Sequence, residues 1–299
     1  MLRNFDVHLM VIISALLSQR AFQQQKDTPL TSARFCIRRA KRLVYPTWIF
    51  LSAYFSLLFF TGQSYSAEYY FYSFLLTRYA VGYVWIVLIY LYSALLVPLC
   101  IKTSTLKYPL LYIGAIYLVY ELMCHFKIGT AIKLIDSTVY YIIPYGLLTY
   151  LGFNYRRFNS KAKMIIISVS AAIFGGLAVY YWMQHGTFQD VQIAKYPPRA
   201  YYLSYGIFVS FLLLYVCEKI KLRLYTNRMI VFISHHSMWI YLWHVMALYL
   251  YNYWNLPRIW YIKFPAVYSA SIIMVFITNK LFDCIDRDKK CSLFQYLRH

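Results

Sequence analysis

Three histidines, His235, His236 and His244, stand within one apolar stretch of this 299-residue chain. An ionisable group is costly inside such a stretch, which makes each a functional candidate. His236 and His244 are eight residues apart, just over two helical turns, and so fall near one helix face. A neutral imidazole can take the proton of a hydroxyl nucleophile, the work of a general base. Polar groups that hydrogen-bond between neighbouring helices would look the same in sequence. A second candidate is the densest charge in the chain, the run Cys36-Ile37-Arg38-Arg39-Ala40-Lys41-Arg42-Leu43-Val44-Tyr45-Pro46. Arg39 and Arg42 are three apart and Arg38 and Arg42 four apart, so on a helix they share a face. Pro46 suits the opening turn of a helix, where its missing N–H would be unpaired anyway. The pattern predicts a short interfacial helix leading into a span and presenting guanidinium forks. Such forks match phosphate oxygens two bonds at a time, as a phosphate-rich ligand such as coenzyme A would require. Basic residues in this position also serve as insertion signals and contacts to lipid headgroups.

A third group is scattered. Glu121, Asp6 and His8 fall near the ends of apolar stretches and are candidates to line an acceptor pocket, or are simply solvated at the membrane interface. The segment from His185 ends in Lys195-Tyr196-Pro197-Pro198-Arg199, where paired prolines favour an extended backbone. There Tyr196 and Arg199 set an aromatic face beside a cation, a combination suited to a sugar ring. An ordinary connection between helices is the competing reading.

The elements that must position these residues are set by composition. The chain is 61% hydrophobic and only 13% charged, too apolar for one soluble core, and stretches of ~20 apolar residues span a bilayer. Spans are predicted at roughly 5–21, 45–62, 80–101, 107–124, 133–152, 163–183, 200–217, 229–252 and 265–282. Each should be helical, because lipid leaves the backbone of an open strand unsatisfied. The expected fold is all-α, a polytopic membrane bundle of about nine helices in a single domain over residues 1–299. The joints between spans alternate in charge. One side holds most of the 30 basic residues, leaving Arg3, Arg78, Lys127, Lys133, Lys195, Arg199, Arg258 and Lys263 on the other. The positive-inside bias puts the richer side, and the C-terminus, in the cytoplasm and the N-terminus outside. With the first apolar stretch beginning almost at Met1, the expectation is a further span upstream; a chain with its N-terminus outside and a short first helix is the alternative.

The net charge of +20 does not point to nucleic acid, since the basic residues sit at predicted membrane borders, where anionic headgroups account for them. The six cysteines are scattered, with no CxxC and no metal-ligand spacing. No Walker-type loop, GxGxxG, GxSxG or HExxH occurs, and no repeat of 20–50 residues.

The arginine run with its following proline resembles the RxxR-then-Pro motif of the acyltransferase-3 membrane family, which includes O-acetylases of surface polysaccharides. Three further stretches resemble that family's motifs in the family's order. They are Asn4 to Leu17, Gly82-Tyr83-Val84-Trp85 through Pro98, and Ile233 to His244. The resemblance covers nearly the whole chain. It implies an enzyme that takes an acyl group, usually acetyl, from cytoplasmic acyl-CoA and passes it to a glycan hydroxyl. In that picture Arg39 and Arg42 hold the donor's phosphates, Arg38 assists, and His244, which matches the late motif, heads the candidates for catalysis before His236 and His235. The family's first span carries an essential His, and no position here matches it. His8 stands where the family has an aromatic and does not take that role. The departures Ala15, His235 and His236 are milder.

The leading expectation is a membrane O-acyltransferase using acyl-CoA and no metal. Its partners would be membrane lipids, a glycan acceptor and polysaccharide-biosynthesis proteins, and its location a bacterial inner or plasma membrane. The other readings are a non-enzymatic glycan or lipid carrier, for which intramembrane His and Glu also suffice, and an inactive truncated acyltransferase.

Overall fold

The structure, a computed structural model, describes residues 5–23, 29–77, 81–82, 84–129, 132–220, 227–257 and 259–285. Asn4 and Tyr83 of the motifs lie outside the described residues, as do the basic residues Arg3, Lys26, Arg78, Lys221, Arg223, Arg258 and those from 286 onward.

The described residues form helices joined by turns and short connections, with no strand among them. In chain order they form α1 (Asp6–Gln23), α2 (Pro29–Phe60), α3 (Ala67–Phe74), α4 (Trp85–Ser104), α5 (Pro109–His125), α6 (Lys133–Asn154), α7 (Ser160–His185), α8 (Ala200–Ile220), α9 (Arg228–His235), α10 (Ser237–Tyr253) and α11 (Trp260–Ile285). Residues Val191–Ala194 add one 3₁₀ turn. Among the described residues, five stretches are long and apolar enough to cross a membrane: Ser32–Phe60 of α2 and the whole of α4, α7, α8 and α11. The 17-residue α5 is apolar but shorter. The protein is thus an integral membrane protein of all-α build.

Two sequence expectations need correction in detail, and one element is new. The predicted interfacial helix and the span after it are one continuous 32-residue helix, so Pro46 lies inside α2 instead of opening a helix. A proline there removes one backbone bond, to the carbonyl four residues earlier, which a membrane helix tolerates when neighbouring polar groups help; the next residue, Thr47, donates its hydroxyl to the Leu43 carbonyl at 2.7 Å. The predicted span 229–252 is broken at His236 into α9 and α10. The short helix α3, capped by Ser66, was not foreseen.

Contacts gather the chain into two compact units: Met1–Cys36 with Leu88–Leu222, and Ile37–Val87 with Arg223–His299. In the first unit α1 packs on α6 and α8, and α7 pairs with α8. Two glycines let α1 come close. A Cβ on Gly152 would meet the Ile12 carbonyl oxygen at 2.4 Å, and one on Gly206 would meet the His8 ring at 2.1 Å. Small residues at such crossings are how membrane helices gain packing without a hydrophobic driving force. The α7–α8 connection is itself packed, with Val191 and Ala194 buried against Tyr201, Tyr202 and Tyr205.

The second unit is held by aromatic contacts. Trp48 donates to the Phe74 carbonyl at 3.0 Å, tying α3 to α2. Thr61 and Tyr249 share a 3.0 Å hydrogen bond between α2 and α10. Phe232 stacks on Phe276 at 4.6 Å, and Trp239 meets Phe282 at 5.7 Å, joining α9 and α10 to α11.

Candidate functional site

The arginine cluster sits on α2 as the spacing requires, with Arg38 and Arg42 exposed and Arg39 half-buried. Continuity of α2 through this run fixes the three guanidinium groups to one rigid element, so a phosphate bound there would be positioned relative to the span that follows.

The histidines occupy the broken element of the same unit. His235 ends α9 and is exposed, and His236 is the junction residue. The break is local, because Ile240 N donates to the His236 carbonyl at 2.9 Å and His236 N to that of Phe232 at 3.1 Å. Helical register therefore carries across it. His236 Nδ1 lies 2.9 Å from the Phe232 carbonyl, and His244 Nδ1 bonds the Tyr241 carbonyl. A carbonyl only accepts, so in each ring Nδ1 carries the proton and the lone pair of the neutral imidazole falls on Nε2. That is the tautomer a general base needs when Nε2 faces the hydroxyl. His236 is further oriented by stacking on Phe232 at 4.3 Å.

The candidates of the first unit are organised differently. Glu121 of α5 accepts from Tyr117 at 2.6 Å, from the backbone N of Ala200 at 2.6 Å, and from Arg199 Nε at 3.2 Å. Its carboxylate thus caps the start of α8, where unpaired amides and the helix dipole favour a negative charge. Neighbouring Tyr120 donates to the Pro198 carbonyl at 2.8 Å. Glu121 and Arg199 form a clasp between α5 and the turn into α8. Tyr196, by contrast, is exposed, with the Lys195 ammonium 5.3 Å from its ring centre. His8 is fully buried, its ring 4.2 Å from that of Tyr202.

Sequence reasoning missed one further charged group. Lys163, 7% exposed, pairs with Glu218 at 2.8 Å and lies 4.3 Å from the Tyr155 ring centre. Tyr155 also donates to Glu218 at 3.3 Å. Burial, and then the Glu218 carboxylate, push the Tyr155 phenol well up from its ordinary value. The available signal was a lone Glu at the end of an apolar stretch. No group of three or more His, Cys, Asp or Glu side chains suited to a metal ion is found among the described residues.

A family model described as an acyltransferase domain, that of the acyltransferase-3 family, matches residues 1–279. The chain belongs to the acyltransferase-3 family. With its apolar helices, this makes it a membrane acyltransferase. No curated protein and no solved structure gives a significant match to the chain. The matched range runs from α1 into α11 and so includes residues of both compact units.

Proposed function

We propose that this acyltransferase moves an acyl group, acetyl in the first instance, from acyl-CoA to a hydroxyl of a cell-surface polysaccharide or its lipid-linked precursor. The observation that carries the reading is the arginine run on α2 of an acyltransferase-3 protein: Arg38, Arg39 and Arg42 on one continuous helix, two of them exposed. In this reading all nine apolar stretches cross a bacterial inner or plasma membrane as one functional domain, and the basic joints face the cytoplasm. Arg39 and Arg42 grip the donor's phosphates and Arg38 assists.

The base is His244, or His236 one face-repeat earlier. Its Nε2 takes the acceptor hydroxyl's proton as that oxygen attacks the thioester carbonyl. The C–S bond breaks, and the proton passes from the imidazolium to the departing thiolate, giving the ester and free coenzyme A. Tyr196 offers an aromatic face suited to a sugar ring, and Glu121 and Arg199 fasten the turn that carries it. Biosynthetic proteins that deliver the glycan are the natural partners.

The test is transfer of isotope-labelled acetyl from acetyl-CoA to extracted surface glycan in membranes holding this chain. Label in ester linkage to the glycan, lost in the Arg39→Ala plus Arg42→Ala variant, is the expected result. A folded protein that neither binds acyl-CoA nor labels any glycan would overturn the reading.

A further inference from the structure

At one end of the first unit the layers can be followed turn by turn. Ala15, Val97, Cys100, Tyr150 and Phe153 form a buried apolar layer, with Phe35, Ile101 and Ile113 packed against it. Four residues further along α1, α4 and α6 and into the turn after α6 stand Gln19, Ser104, Asn154 and Arg157, one helical turn beyond. This second layer is polar and partly sealed, with Gln19 2% and Asn154 3% exposed.

Within it Asn154 Oδ1 accepts from Ser104 Oγ at 3.0 Å and from Arg157 Nη1 at 3.3 Å, while Asn154 Nδ2 donates to the Tyr150 carbonyl at 3.1 Å. The Arg157 guanidinium also lies 5.8 Å from the centre of the Phe153 ring. Both holders, an amide oxygen and an aromatic face, are neutral. They orient the guanidinium without cancelling its charge, unlike Lys163 in the same unit, whose charge is met by Glu218. Gln19 Oε1 is buried and accepts no hydrogen bond among the described residues, a costly state for a carbonyl oxygen unless a donor reaches it. Arg157 itself is exposed, as are Arg156, Lys161 and Lys102, which lie within four residues of Arg157 or Ser104 along the chain.

We propose that this layer is a second anion site. Arg157 binds a phosphate group, Arg156 and Lys102 add positive potential, and Gln19 accepts a hydrogen bond from an N–H or O–H donor on the same ligand. A soluble nucleotide and a phospholipid headgroup both offer phosphate with such a donor, and the shared chemistry is what the site recognises. Arg38, Arg39 and Arg42 take no part in it, so it does not rest on their assignment to the acyl donor.

The test uses the full chain carrying Arg39→Ala and Arg42→Ala, so that the α2 cluster does not contribute. In phosphatidylcholine nanodiscs the protein is titrated calorimetrically with adenosine 3′,5′-bisphosphate. In a parallel arm, phosphatidylglycerol is added to the nanodiscs and thermal stabilisation is followed. A saturable, salt-sensitive response in either arm is expected, weakened about tenfold or more by Arg157→Gln. Loss confined to the first arm identifies a soluble phosphate, and loss confined to the second a lipid headgroup. Arg157→Lys, which keeps the charge but loses the amide-held geometry, should fall between. Gln19→Leu provides a check that does not depend on Arg157: it should weaken binding while raising stability in phosphatidylcholine alone. No response in either arm, or responses that folded Arg157→Gln and Gln19→Leu proteins retain in full, would overturn the proposal.

Discussion

The two units hold the same kinds of residue, cations and ionisable groups within apolar helices, and use them differently. In the first, Lys163 meets Glu218, and Arg199 meets a Glu121 that also caps α8. These charges are engaged in fastening helices. In the second, Arg38 and Arg42 point outward from α2, and His236 and His244 are tied through Nδ1 to carbonyls of their own helical segments. The contrast teaches that an ionisable residue in a span becomes a candidate for chemistry only after its bonding partners are known. Glu121 and His244 are both ionisable groups in apolar helices, but the carboxylate has three protein donors around it and the imidazole is held in a base-competent tautomer.

Substitutions that separate activity from stability put this contrast to the test. The largest effect is expected at His244. His244→Gln should lower the acyl-transfer rate by about 10²–10⁴-fold and remove the acid limb of the pH–rate profile, with folding retained; an unchanged limb would move the base to His236. Next, Arg39→Ala with Arg42→Ala should weaken acyl-CoA binding by about a hundredfold, two charge-assisted contacts being lost, with little change in helicity or melting. If this variant unfolds instead, the arginines are structural and the contrast between the units fails.

In the first unit the expectation reverses. Gly152→Ala forces a methyl group against the Ile12 backbone and should destabilise by about 2–3 kcal/mol in a detergent unfolding assay, comparable to other overpacked sites. A smaller effect is expected at the buried pair. Glu218→Gln leaves the Lys163 ammonium buried without its carboxylate, at a cost of about 2 kcal/mol given the partial exposure of the carboxylate side. Lys163→Met should cost about 1 kcal/mol or less, because the freed Glu218, 54% exposed, regains water. Equal losses from the two single variants would contradict that asymmetry.

Much of the helix pattern was legible because long apolar stretches allow few alternatives in lipid. The starts of α6 and α8 were read at Lys133 and Ala200, and α5 within two residues at each end. The junction at His236 was not legible. No proline or glycine marks it, and in sequence the residues around it continue an apolar helix. The continuity of α2 was missed for the opposite reason: Pro46 reads as a boundary, yet the membrane helix runs through it. The arginine face needed only helical spacing, and its exposure agrees with that reading. The clasp was not legible, since Glu121 and Arg199 are 78 residues apart and sequence offers no reason to pair them.

By itself the sequence determined that this is an all-helical membrane protein, that its cations gather between its apolar stretches, and that its motifs follow the acyltransferase-3 order. Those properties are local or additive: hydropathy within a window, charge at a boundary, residues at helical spacing. The tertiary structure decided which polar and ionisable groups meet partners distant in sequence, as Glu121, Lys163 and Asn154 do. That outcome depends on which helices meet, and a close approach such as that of α1 to Gly152 and Gly206 is settled by packing in three dimensions.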